Sequence, residues 1–154
     1  MTGHSENLVL PPESVQLDYE GEIGIVIGKG GRRIAEEDAE SRIAGLTVMN
    51  EGTVRDWLKH GNYGAPGKNF DASGACGPWL VTSDEFKGYD DLRVTTKVNG
   101  TIRQDDTTAN LIFPFRHVIS YVSLWTTLEP GDRNAGGNRD QSNPAGMARG
   151  GRCR

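Results

Sequence analysis

Glu20 and Glu22 stand two residues apart in the run LDYEGEIGIVIGK, Leu17 to Lys29. Side chains alternate between the two faces of a strand, so carboxylates at this spacing share a face and lie side by side. Held away from water, they repel unless a proton or a cation intervenes. Left in water, they form an ordinary solvated strand face, the commoner fate of such a pattern. Glu51, following Met49 and Asn50 at the expected end of another strand, offers a third carboxylate. Three oxygen donors suit a hard ion such as Mg²⁺ or Mn²⁺, although spacing along the chain does not by itself bring Glu51 to the pair. Lys68 lies in a segment rich in Gly and Pro, and is either a solvated lysine or a cation facing an anionic substrate. The run Gly64 to Lys68 is too short for a phosphate-binding P-loop and lacks the following Ser or Thr. His4, His60 and His117 have no zinc-like spacing, and neither a Gly-x-Ser-x-Gly elbow nor a Cys/His nucleophile pattern occurs.

These residues need elements to position them. Tyr19 to Gly28 alternates as a strand, with Ile23, Ile25 and Ile27 on one face and the two carboxylates, Gly24 and Val26 on the other. A turn from Gly28 to Arg33 follows. Ala35 to Ile43 reads as a helix, with Glu36, Glu37 and Asp38 in the first turn, where the helix dipole favours acids, and Gly45 as its end. Leu46 to Met49 reads as a short strand, and a short helix is expected near Val54 to Lys59. His60 to Pro78 reads as a long loop of the kind that is functional or disordered. Leu92 to Val98 and Thr101 to Gln104 flank Asn99-Gly100, a strong hairpin signal. Phe115 to Thr127 carries apolar residues at helical spacing, and Pro130-Gly131 stops it. Residues 1–16 read as a connector. From Asn134 onward almost no large apolar residue occurs, so residues 133–154 are expected to be a disordered tail.

A chain of 154 residues is enough for one domain with a core. Seventeen Lys and Arg stand against 21 Asp and Glu, a net charge of -4, which argues against a life on phosphate backbones. Cys76 and Cys153 are far apart, without metal or redox spacing, and read as free thiols in a reducing compartment. No apolar run is long enough to cross a bilayer and no leader pattern precedes the domain. The expectation is therefore a soluble cytoplasmic protein with neither nucleic-acid nor membrane partners. One loop cuts against this. VIGKGGRRI, Val26 to Ile34, is similar to the GXXG backbone clamp of KH-like RNA-binding modules. That pattern wants an apolar residue where Glu37 stands, and the acidic helix behind the loop would repel phosphate.

Five segments in order resemble the fumarylacetoacetate hydrolase family. LDYEGEIGIVIGK resembles the family's strand with two metal-binding glutamates. MNEGTVRDW, Met49 to Trp57, resembles its Asn-Asp-x-x-x-Arg-Asp segment. GKNFDASGACGPWLVTSDE, Gly67 to Glu85, resembles its lysine loop; VNGTIRQ, Val98 to Gln104, and LEPGD, Leu128 to Asp132, complete the series. Each motif alone is weak, but five in order at plausible separations are specific. The resemblance covers residues 17–132 and implies an α+β, β-rich fold, a mixed β-sandwich roll left incomplete, forming a homodimer if the fold is completed. It implies Mg²⁺ or Mn²⁺ held by Glu20, Glu22 and Glu51. The implied substrates are 2-oxo or diketo acids, and the implied reactions are C–C bond hydrolysis, decarboxylation and isomerisation through a stabilised enolate. It gives Lys68 a catalytic and substrate-facing role, and Arg55 either a substrate carboxylate or the holding of the loop.

The chain departs from the family pattern in three ways. Glu51 stands where the family has aspartate, which moves the carboxylate outward by about 1 Å. His4 and Glu6 lie too close to the strand to be the family's upstream His and Glu acid–base pair. After LEPGD the chain turns to Gly, Asn and Arg instead of a Thr-Gly-Thr-Pro turn. The expectation is a truncated or frameshifted member. Besides the metal-dependent enzyme, an inactive fragment or interaction module of the same fold stays open, with a KH-like module as the remote alternative.

Overall fold

A computed structural model describes residues 1–61 and 64–136. Its strands are β1 (Leu17–Asp18), β2 (Gly21–Ile27), β3 (Ile43–Asn50), β4 (Thr53–Val54), β5 (Ala75–Cys76), β6 (Val81–Thr82), β7 (Arg93–Val98), β8 (Thr101–Thr107) and β9 (Arg133–Gly136). Its α-helices are α1 (Glu36–Ala39) and α2 (Phe115–Trp125).

The alternation of β2 decides the centre of the fold. One face carries Ile25 and Ile27 into the core, where they meet Ile43 and Leu46 of β3 and Phe115 and Ile119 of α2. Burying such side chains contributes roughly 1.5–3 kcal/mol each, enough to fix which face turns inward. β2 runs antiparallel to β3, and the main sheet has the order β5-β3-β2-β9, with β6 also on β3. The β7–β8 hairpin turns at Asn99 and Gly100, both with positive φ, as the Asn-Gly signal predicts. Pairing between the named strands is antiparallel; Thr2 and Ala75 add a parallel bridge.

Several expectations are corrected. The helix expected over Ala35 to Ile43 is one α-turn plus a 3-10 turn at Glu40–Arg42. Gly45 does not end a helix but lies inside β3. A Cβ there would stand 2.1 Å from the Val81 carbonyl oxygen, so only glycine lets β6 pair at this point. The segment His60 to Pro78 contains a 3-10 turn at Ala65–Lys68 and the short β5. Residues 133–136, assigned to the tail, form β9, which pairs with β2 from Val26↔Arg133 to Ile23↔Gly136. Composition judged whether this stretch could bury surface alone. As an edge strand it needs only backbone hydrogen bonds to β2. The rest of the expected tail, 137–154, with Cys153, lies outside the described residues.

The GKGG loop has a structural task. Gly31 exchanges backbone hydrogen bonds of 2.9 Å with Leu128, and Arg33 N–H donates to the Ser123 carbonyl. Ile34 N–H donates to the buried Ser123 hydroxyl at 2.9 Å. A Cβ at Gly30 would lie 2.5 Å from the Leu128 carbonyl oxygen. These N–H groups hold the end of α2, which takes away the donors a phosphate clamp would use. Lys29, Arg32 and Arg33 are exposed.

Candidate metal centre

The β2–β3 register builds the site. Gly21 faces Asn50, so the residues one step beyond each, Glu20 and Glu51, face each other. Two bonds lock this continuation: Glu51 N–H donates to the Glu20 carbonyl, and Glu20 N–H to Asn50 Oδ1, both at 2.9 Å. Glu22 shares the face of Glu20. Candidate ligand oxygens of Glu20, Glu22 and Glu51 all lie within 4.8 Å of one another.

Glu20 and Glu22 are 1% and 3% exposed, which overturns the solvated strand face. Buried carboxylates need partners. Arg55, at the end of β4, reaches Glu20 Oε1 through Nη1 at 2.6 Å and Asp18 Oδ2 through Nε at 2.8 Å. Lys68, at the end of its 3-10 turn, donates to Glu20 Oε2 and to Glu51 Oε2, the latter at 2.7 Å. Gln104 of β8, itself buried, accepts the Gly21 N–H at 2.8 Å and fixes the backbone between the two glutamates.

The electrostatics show what this donor set wants. Burial, then the neighbouring Glu51 and Glu20 charges, push the Glu22 carboxyl up to about 7, with Lys68 partly opposing. Burial alone would lower the Lys68 ammonium, but its hydrogen bonds to Glu20 and Glu51 overcome that and raise it. Among the described residues, Asp18, Glu20, Glu22 and Glu51 gather around two cationic side chains, Arg55 and Lys68, an excess of two negative charges when all four carboxyls are ionised. Clustered carboxylate oxygens with that excess fit a hard divalent cation.

The structure therefore brings together Glu20, Glu22, Glu51, Lys68 and Arg55. The Arg55 guanidinium is engaged within the cluster, by a hydrogen bond to Asp18 and an ion pair with Glu20. Lys68 and Glu51 also line an adjoining pocket of about 160 Å³ with Phe70, Asp71 and Ser73. Sequence reasoning missed Asp18 and Gln104. The signal for Asp18 was present, since it shares the parity of Glu20 and Glu22. For Gln104 only the hairpin motif was visible, because its contact with Gly21 depends on packing. His117 lies apart from this cluster, with Nδ1 2.7 Å from Glu36 Oε1 on the surface.

Residues 1–133 match the family model described as fumarylacetoacetate hydrolase C-terminal. The chain is 38% identical over 134 residues to a mitochondrial oxaloacetate tautomerase of Bos taurus, covering 86% of this chain and 43% of that protein. It is 40% identical over 139 residues to a 4-hydroxyphenylacetate degradation bifunctional isomerase/decarboxylase of Salmonella dublin, covering 88% of this chain and 32% of that one. Among solved structures, the 5-carboxymethyl-2-hydroxymuconate delta-isomerase of Mycobacterium smegmatis matches with a TM-score of 0.84 and 29% identity, over 90% of this chain and 54% of that one. The chain thus spans less than half the length of the two curated relatives.

Proposed function

The chain belongs to the fumarylacetoacetate hydrolase family, and from that membership we propose a divalent-metal-dependent enzyme acting on 2-oxo or diketo acids by way of an enolate. The observation that carries the reading is the buried pair Glu20 and Glu22 with Glu51 brought into reach by the β2–β3 register. These three residues would hold Mg²⁺ or Mn²⁺, the ions suited to an all-carboxylate donor set. Such an ion, when bound, supplies Lewis-acid stabilisation of negative charge developing on a 2-oxo oxygen. Among C–C hydrolysis, decarboxylation and isomerisation, proton-transfer isomerisation is the first to test, since the names of all three relatives include an isomerase or tautomerase activity.

The chain's own residues have separable roles. Arg55, anchored by Asp18, fixes the Glu20 carboxylate through an ion pair in the interior. Lys68 offers the cation that an anionic substrate meets at the pocket wall. A cation facing the place where negative charge develops stabilises that charge. A homodimer belongs to the same reading.

Calorimetry with Mn²⁺ should show binding to the wild type and strong loss of it in Glu20→Gln. Absence of binding, or binding unchanged in the variant, would sink the metal centre. Turnover is tested by keto–enol conversion of oxaloacetate, followed by loss of enol absorbance, and by cleavage of acylpyruvates. Intact Mn²⁺ binding with silence on all substrates would favour the interaction-module reading.

A further inference from the structure

We propose that Lys68 is a two-position side chain: it bridges Glu20 and Glu51 until a divalent cation takes those carboxylates, and then turns into the adjoining pocket to meet the anionic substrate. The inference rests on the metal-centre reading and deepens it, because it orders the two binding events.

Three observations carry it. First, the ammonium is bonded to Glu20 Oε2 and Glu51 Oε2, so two of the three carboxylates in the candidate centre are already engaged by a cation. A divalent ion held by these carboxylates and an ammonium at hydrogen-bond distance from them repel each other. They therefore compete for Glu20 and Glu51.

Second, Lys68 is the partner able to leave. Glu20 is 1% exposed, clasped by Arg55 and tied through its backbone to Asn50 and Glu51, whereas the Lys68 side chain is 28% exposed. Arg55 cannot play this part, since its Nε is held by Asp18 and its backbone N–H by the Gln16 carbonyl.

Third, there is somewhere to go. Lys68 and Glu51 line the same pocket, next to Asn69 and Ser73, so turning about the lysine side-chain torsions reaches the pocket without moving the 3-10 turn. With two of its three N–H groups given to Glu20 and Glu51, the amine has its full donor capacity for a substrate carboxylate only after it leaves them. Cation loading thus readies the anion site, and the order is cation first, substrate second.

The test labels lysine amines in the full chain with a neutral acylating reagent, with and without saturating Mn²⁺, read by mass spectrometry. The exposed Lys29, Lys87 and Lys97 serve as standards within the chain. The expected result is a several-fold rise in Lys68 labelling on Mn²⁺ addition, relative to the standards, and tighter Mn²⁺ binding by Lys68→Met in calorimetry. Calorimetric binding of Mn²⁺ to the wild type with Lys68 labelling unchanged overturns the two-position role, as does a Lys68→Met variant that binds no more tightly. If the wild type binds no Mn²⁺ at all, the metal-centre reading fails first and this inference falls with it.

Discussion

Glu22 makes the sharpest residue-scale prediction. Its carboxyl, pushed up from 4.5 to about 7, keeps a proton in the folded chain that the unfolded chain releases at lower pH. The folded state binds more protons across that window, so this contribution to stability is complete below about pH 4.5 and is lost as pH rises through about 7. The shift corresponds to about 3 kcal/mol at most. In urea denaturation with chelator present, Glu22→Gln should gain stability relative to wild type as pH rises from 5 to 8. A difference that does not move with pH contradicts it. The same cluster explains why residue types alone were informative. Glu20 and Glu22 share a strand face by parity, which any reader of the sequence can see. Whether that face meets water or the interior is not in the pattern, and here burial changed a bland surface into a strained site.

At the scale of elements, the connection between β2 and α1 is held by α2 rather than by its own hydrogen bonds. The Ser123 hydroxyl accepts from Ile34 N–H and donates to the Ser120 carbonyl, and Ser123 is fully buried. Ser123→Ala leaves the buried Ile34 N–H without its acceptor, which should cost about 1–3 kcal/mol. Chemical denaturation measures it; a loss within experimental scatter would show that water replaces the hydroxyl. Local signals located the hairpin and α2 well, because Asn-Gly turns and helical periodicity act over a few residues. They failed for Gly45 and for β9. Gly45 is required by the approach of the Val81 carbonyl from 36 positions away, and β9 exists through the edge of β2. Neither partner is near in sequence.

At the scale of the whole molecule, the core face of the main sheet runs on past the cover of α2. Val48 pairs with the half-buried Ile23 on that face and is 56% exposed; separately, Trp79, whose carbonyl accepts the hydroxyl of Thr47 on the opposite face of β3, is 71% exposed. Where such side chains form a contiguous patch, they mark a surface that a partner covers. If a second copy does so, light scattering should report a dimer, and Trp79→Glu should shift it towards monomer. A wild type that stays monomeric at high concentration counts against the homodimer. Among the described residues no helix is long and apolar enough to cross a membrane.

The sequence by itself determined the parity of Glu20 and Glu22, the hairpin, α2 and the family pattern, since these depend on spacing and turn chemistry that are local. Tertiary structure decided that Glu51 faces Glu20, that Arg55 spends its guanidinium on Asp18 and Glu20, and that Lys68 arrives from a distant loop to bridge two carboxylates. The reason is register. An antiparallel pairing carries one residue across to another through backbone hydrogen bonds set by which faces bury apolar surface. That choice is made by the whole core, not by the residues that end up sharing the site.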